Sequence, residues 1–463
     1  MKTTIALGCQ LLISCLFFYH ANAQVSSDTL IQLKDAVRLA EQRYHLLKSK
    51  QFEAEAAAKN VDVVKYSRMP TLDAGYQAGI ATANNLTGMY NPTGMMPISG
   101  PPSVANNNTP ALGSAASLLL NWQAVTFGER NARINVSLAE SNVKSAEFKQ
   151  ALFQQKINVI SAYLDLLLTY DDVKIHQGNM ARIEASLNQS RALVVSGIKP
   201  GIDTALFVSE LSKARIEFLT GQKQLQVCQS VLAQLIVTDA IPVPADTSFL
   251  NRLPAEIGSF DATYDSHPQI HFVQSQYDLS QSRELLLKHS YLPKINLWST
   301  TFARGSGYQA NGTLSNSEGL KLNRFNYGAG FQLVFPVLKY GEEKQQLLQQ
   351  VLLSKAAQEK IDENRSVLST QQRIAVTTFK NSLDIAKETE NQLKSGQYAF
   401  AAMKVRYNTG LVSFSDLMQV QYSLLKAELD RKKSYWDAWK ALLLQAAVAG
   451  DENAFIHAIP SIQ

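Results

Sequence analysis

Phe325-Asn326-Tyr327-Gly328-Ala329-Gly330-Phe331-Gln332-Leu333-Val334-Phe335 is the stretch whose reading decides the fold. Phe325, Tyr327, Ala329, Phe331, Leu333 and Phe335 alternate with Asn326, Gly328, Gly330 and Gln332. A period of two sends the two sets to opposite faces of a strand. Eleven residues match the ~9–11 of a tilted membrane-spanning strand. The stretch after Pro70 alternates in the same way, with Leu72, Ala74, Tyr76, Ala78 and Ile80 against Asp73, Gly75, Gln77 and Gly79. A third sets Leu112, Ala116, Leu118, Leu120 and Trp122 against Gly113, Ala115, Ser117 and Asn121. A fourth, from Ile295 to Ala303, alternates least clearly.

A soluble half-buried sheet would alternate too. The small, polar second face suits a lumen, and the strands feed directly into very long helices, so the membrane reading is preferred. Strands are expected near 70–82, 112–127, 293–307 and 323–338. Four strands in lipid leave two edges of unsatisfied backbone groups, which a bilayer does not tolerate. The sheet must therefore close with copies from other subunits, with totals such as eight, twelve or sixteen strands.

Working outward, the chain is written twice. Lys65-Tyr66-Ser67-Arg68-Met69-Pro70 matches Lys288-His289-Ser290-Tyr291-Leu292-Pro293, 223 residues later. Farther on the offset is 213: Phe127-Gly128-Glu129 meets Tyr340-Gly341-Glu342, and Gly197 with Asp203 meets Gly410 with Asp416. The difference falls between Pro70 and Trp122, so the first copy carries a longer loop. A duplication with one insertion organises the chain more firmly than any single motif.

Each copy reads helix, strand, loop, strand, long helix, tip, helix. Residues 129–196 and 342–408 lack proline and turn clusters, and each would extend on the order of 100 Å if continuous. The helix after the first tip carries Phe207, Leu211, Ala214, Phe218, Gly221, Leu225, Cys228, Leu232 and Leu235 at steps of four and three, the knobs-into-holes spacing. Cys228 is read as a small hydrophobe of that seam. The first repeat is assigned to 24–239, an inter-repeat segment with Pro242, Pro244 and Pro254 to 240–265, the second repeat to 266–450, and a tail to 451–463.

Residues 1–23 read as a signal peptide: Lys2, the apolar run from Ile5 to Phe18, and the cleavage pattern Ala21-Asn22-Ala23. Leu12-Ile13-Ser14-Cys15 loosely resembles a lipoprotein site, but apolar residues continue past Cys15. Cys9 and Cys15 would leave with the signal, so Cys228 stays alone and no intramolecular disulfide is expected. The net charge of +5, with acidic and basic residues interspersed, argues against nucleic acid as a partner. Met89, Met95 and Met96 sit in an Asn-, Pro- and Gly-rich loop without His or Cys and are read as loop residues. His267 and His271 stand four apart at a helix start, but no third ligand is visible and Pro268 suits the first helical position, so no metal or other cofactor is expected. No nucleotide-binding loop, nucleophile elbow or zinc-protease motif is present.

With these features in place, the chain resembles the outer-membrane efflux protein (TolC) family over nearly its whole mature length. The resemblance rests on Leu33-Lys34-Asp35-Ala36-Val37-Arg38-Leu39-Ala40, on Phe127-Gly128 and Tyr340-Gly341, and above all on Tyr407-Asn408-Thr409-Gly410-Leu411-Val412-Ser413-Phe414-Ser415-Asp416-Leu417, the family's second hairpin tip. It implies a mainly α fold with a membrane β-barrel portion. Duplicated long-helix hairpins would form a trimeric α-barrel, and four strands per subunit would complete a twelve-stranded barrel in outer-membrane lipid. The expected function is a passive exit duct, not an enzyme, working with a periplasmic adaptor and a proton- or ATP-driven inner-membrane pump. A stand-alone porin or adhesin is the alternative.

The working residues are expected at the tips. Gly197 and Gly410 suit the left-handed turn that ends a helix. By resemblance Asp416 matches an acidic position ringing the narrowest point, where three copies would favour cations. Ser413 and Asp416 also have capping-box spacing, and the two roles can coexist. Asp203 is assigned to the same entrance, with a helix-start or intersubunit role. Gln419 stands where the family pattern has a second acid, and Val412 where it has an arginine of a closing network. Tyr407 matches a tyrosine of that network, and with the arginine gone it is expected to lack its partner. Closure would then rest on apolar packing of Leu411, Val412 and Phe414. Gly197, Gly410, Leu411 and Val412 are the candidates for adaptor docking.

Overall fold

The computed structural model describes residues 28–82, 84, 104–198, 200–247, 249–255, 264–309 and 313–458. The signal peptide, Cys9, Cys15, the three loop methionines and the end of the tail lie outside them. The fold is mostly helical. In chain order the elements are β1 (Asp28–Ile31), α1 (Leu33–Arg43), α2 (His45–Tyr66), β2 (Thr71–Ala81), β3 (Ala111–Val125), α3 (Glu129–Val195), α4 (Ile202–Ile236) and β4 (Ile241–Pro244). They continue with α5 (Pro268–Ser290), β5 (Lys294–Ser306), α6 (Asn316–Gly319), β6 (Arg324–Val334), α7 (Tyr340–Asn408), α8 (Phe414–Ala449) and α9 (Glu452–His457). In both repeats a helix leads into a two-stranded hairpin, a very long helix and a shorter helix after the tip, while α6, between β5 and β6, has no described counterpart in the first. The proline-free stretches form single helices of 67 and 69 residues. Among the described residues no helix is long and apolar enough to cross a membrane.

Two compact units cut across the repeats, one of residues 1–48, 151–267 and 368–463, the other of 49–150 and 268–367. The second unit holds an antiparallel sheet in the order β2-β3-β5-β6, so each repeat contributes one hairpin and the hairpins join through β3 and β5. β2 and β6 are the edges. Register places Leu72, Tyr76 and Ile80 on the same face as Phe325, Tyr327, Phe331 and Leu333. These seven side chains are between 62% and 84% exposed, so both edge strands present large apolar side chains on one face of the sheet. β6 stops at Val334, short of Phe335: Val334 breaks the alternation, and Pro336 offers no N–H to a ladder.

The opposite face is small and polar on β2 and β6, as the alternation predicts. β5 adds Trp298 and Phe302, which the weaker pattern of that strand hides. Trp298 lies across Gly328 and Gly330: a Cβ on Gly330 would sit 2.9 Å from the indole. The glycines of Tyr327-Gly328-Ala329-Gly330 are therefore the floor under a tryptophan. Farther along, the β5–β6 connection folds back onto the sheet. Asn316 accepts the Leu112 N–H at 3.2 Å, and the Ser114 hydroxyl donates to the Gly319 carbonyl at 2.8 Å. A Cβ on Gly305 would fall 2.0 Å from the Lys321 carbonyl oxygen, so backbone occupies the space a side chain would need. Ion pairs tie the flanking helices of this unit. Lys50 and Lys144 both bind Glu147, at 2.5 and 3.0 Å, and Arg283 on α5 meets Glu140 on α3 at 3.0 Å.

The first unit is a helical bundle around Val159, Ile160, Tyr163, Leu164, Leu166 and Leu167 of α3. α1 supplies Leu33, Ala36, Val37 and Ala40 at the spacing of one apolar helical face, and α8 supplies Trp439, Leu442, Leu443 and Ala446. Tyr163 is fully buried and donates to the Ile31 carbonyl at 3.0 Å, while the Trp439 indole donates to the Arg252 carbonyl at 3.0 Å. β1 and β4 pair in parallel beside them, and β4 comes from the proline-bearing inter-repeat segment. The seam from Phe207 to Leu235 faces inward, with Phe207 and Leu232 fully buried and Cys228 half-buried against the core. His267, buried, meets the Ala447 carbonyl at 3.1 Å and the Phe153 ring edge-on at 5.6 Å, so its imidazole is held by packing.

The repeats end differently. α8 closes on Gly450 at φ 74°, and its counterpart in α4 is Val237 at φ 53°. Holding a β-branched residue left-handed costs about 1–2 kcal/mol, partly offset because glycine is more flexible when unfolded. Val237→Gly is therefore expected to raise the Tm and Gly450→Val to lower it, in thermal melts followed by circular dichroism at the helix band.

Candidate functional site: the two helical tips

Each long helix reaches its tip through the same stop. Gly197 and Gly410 have φ of 74° and 79°, the left-handed conformation that glycine adopts without a Cβ penalty. Around them the last carbonyls are satisfied in the Schellman pattern. Gly197 and Ile198 N–H bond Val194 and Leu193 at 3.0 and 2.9 Å, and Gly410 and Leu411 N–H bond Tyr407 and Arg406 at 3.1 and 2.9 Å. No atom lies within 4 Å of where a Cβ would stand on either glycine, so their requirement is conformational, not steric.

The equivalent aspartates do different work because their neighbours differ. In the second tip Ser413 caps α8: the Asp416 N–H donates to Ser413 Oγ at 3.2 Å, and the Ser413 N–H and hydroxyl donate to Asp416 Oδ2 at 2.9 and 2.6 Å. These bonds hold the exposed Asp416 carboxyl below its usual range. In the first tip the residue matching Ser413 is Pro200, which has no hydroxyl. Asp203 accordingly turns inward, is buried, and accepts a hydrogen bond from the Tyr407 hydroxyl at 2.9 Å. The position matching Tyr407 in the first repeat is Val194, so no mirror-image bond can form.

Tyr407 therefore has a partner other than the arginine whose place Val412 takes. The bond joins the first tip to the second inside one subunit. It sits in a small core of Ile183, Leu187, Phe207, Ala214, Leu417 and Met418, with Phe207 edge-on to both Tyr407 and Phe414 at 5.9 and 4.8 Å. Burial first, and the hydrogen bond to Asp203 second, push the Tyr407 hydroxyl up to about 12. Val412 and Phe414 pack against this core, whereas Leu411 is 71% exposed and takes no part in it. Its turn aims it outward, together with Val195, Ile198 and Ile202 of the first tip. Gln419 and Asp416 are also exposed. Sequence spacing alone could not pair Asp203 with Tyr407, 204 residues apart; the contrast of Tyr407 with Val194 was the available signal.

A sequence model described as outer membrane efflux protein matches residues 36–236, the first repeat. Over those residues, under half of its length, the chain matches the outer membrane efflux protein family. Solved structures with the same fold cover nine-tenths of it. The chain is similar to CusC, described as forming a transmembrane channel (TM-score 0.76, 11% identity, 92% of this chain and 94% of that one). It is also similar to the outer membrane protein VceC of Vibrio cholerae (0.71, 14%, 90% and 96%). A third is the MtrE outer membrane channel of Neisseria gonorrhoeae in its open state (0.72, 14%, 90% and 89%). No curated protein sequence matches the chain. The family match and the channel structures that share this fold support an outer-membrane location, with the helical portion in the periplasm.

Removing the Tyr407 hydroxyl leaves a buried carboxylate without that donor, at a cost of ~1–3 kcal/mol. Tyr407→Phe is expected to lower the Tm and to speed proteolysis at both tips, while Leu411→Ser leaves both unchanged. The raised hydroxyl pKa sets the pH response. The neutral phenol is favoured in the folded chain, so this stabilisation is intact below the ordinary tyrosine value of 10 and is lost as pH rises to about 12. An alkaline titration of the tip's proteolysis should show that loss in the native chain and not in Tyr407→Phe.

Proposed function

We propose that three copies of this chain form an exit duct of a tripartite efflux or type I secretion machine. The observation that carries this reading is the four-stranded sheet with one exposed apolar face and two edges. Lipid satisfies the face but cannot satisfy the edges, so β2 of one copy would pair with β6 of the next. Three copies give twelve strands, the number the family resemblance implies. The helical hairpins would assemble into a tube, with the tips as its entrance.

At that entrance the Tyr407–Asp203 bond supports a closed state within each subunit, and Asp416 would supply one carboxylate per copy to a negative ring. One Asp416 oxygen takes both bonds from Ser413, which leaves the other free to face the pore. The exposed Val195, Ile198, Ile202 and Leu411 beside Gly197 and Gly410 are suited to docking a periplasmic adaptor through apolar contact. The pump would be proton- or ATP-driven, and the duct itself would do no chemistry.

Cysteine pairs, one on β2 and one on β6, test the closure. Oxidation in whole membranes is expected to give covalent dimers and trimers on denaturing gels, and bands at higher multiples would overturn the trimer. Crosslinked pull-downs from the same membranes should recover an adaptor with its pump. Repeated recovery of the protein alone would favour a stand-alone porin.

A further inference from the structure

We propose that Arg304 and Arg324 form a binding station for multivalent anionic solutes on the polar face of the sheet. The inference rests on reading that face as lumenal. The two arginines are direct partners in register at the loop end of the β5–β6 hairpin, so both lie on one face. Like charges placed directly opposite across a ladder destabilise it. The usual relief is a carboxylate, and among the described residues neither arginine side chain has an ion pair or a hydrogen bond. The nearest acid in sequence, Glu318, is committed to Lys321 and to Asn323 at 2.9 Å. The acid on the same face of the sheet, Asp73, is four register rows away, roughly 13 Å along the strands. Phe302 stands beside Arg304, with the guanidinium 5.9 Å from its ring centre, which directs the cation along the face.

Two exposed guanidinium groups without carboxylates present paired N–H forks, the geometry that phosphate and carboxylate oxygens accept bidentately. The opposite face is apolar on the edge strands β2 and β6, the strands that would meet lipid most openly, so a lipid headgroup meets the wrong side of the sheet. Three copies would place six arginines around the outer part of the lumen. Charged rings of this sign select for anions, and here the ring lies at the end of the sheet opposite Asp73. The station would hold anionic cargo at the outer end and oppose the return of cations.

The test is isothermal titration of the purified full-length protein in detergent with sodium tripolyphosphate, which reads the site whether or not the entrance is open. Saturable binding that weakens with salt is expected, reduced at least tenfold by Arg304→Gln or by Arg324→Gln and unchanged by Lys321→Gln. Absence of binding, or binding indifferent to both arginine variants, overturns the proposal. A second measurement separates the station from the lumenal reading. In a Cys228→Ala background reconstituted in vesicles, Asn326→Cys should react with a membrane-impermeant thiol reagent and be protected by tripolyphosphate, while Tyr327→Cys should not react. If Tyr327→Cys is the reactive one, the lumenal reading fails whatever the titration gives. Protection by phosphatidylglycerol but not by tripolyphosphate would assign the pair to lipid and overturn the solute station.

Discussion

A backbone N–H or C=O left unpaired in hydrocarbon costs several kcal/mol, and an open sheet has two rows of them. That constraint governs this molecule more than any side-chain contact. A single chain provides four strands and leaves β2 and β6 as edges. The same four strands carry an apolar face that water cannot cover favourably. On the proposed reading, lipid would resolve the second problem and sharpen the first, which would give the chain a reason to assemble. The duplication fits this logic: two hairpins meet at β3 and β5, and the edges that remain belong one to each repeat.

The repeats have diverged where that divergence has structural effect. Replacing the capping serine by Pro200 in the first tip frees Asp203 from the helix start and lets it face the interior. Placing Tyr407 where the first repeat has Val194 gives that carboxylate a donor. One buried hydrogen bond, inside a small aromatic and aliphatic core, thus joins two tips that are otherwise alike. Asp416, still capped by Ser413, keeps its charge at the surface. A symmetric pair of tips would have had two caps and no tie.

Glycine usage separates two physical demands. Gly197 and Gly410 are needed for a left-handed backbone and have open space around them. Gly330 and Gly305 have ordinary dihedrals but no room, one beneath Trp298 and one against the Lys321 carbonyl. In a sequence both kinds read simply as turn or lumen residues.

The sequence by itself determined the duplication, the alternation on β2, β3 and β6, the two long helices and the glycine stops. Each of these is a local or periodic property, written within a few turns or a few strand residues. It also marked the Ser413–Asp416 cap, because a capping box spans three residues. Only the tertiary structure decided that Tyr407 has a partner, that Leu411 stays outside the tip core, that Trp298 rests on Gly328 and Gly330, and that Arg304 faces Arg324. Those facts depend on register and on which helices lie side by side. Contacts between residues far apart in the chain leave no period for a sequence to display, since the packing that creates them exists only once the chain has folded.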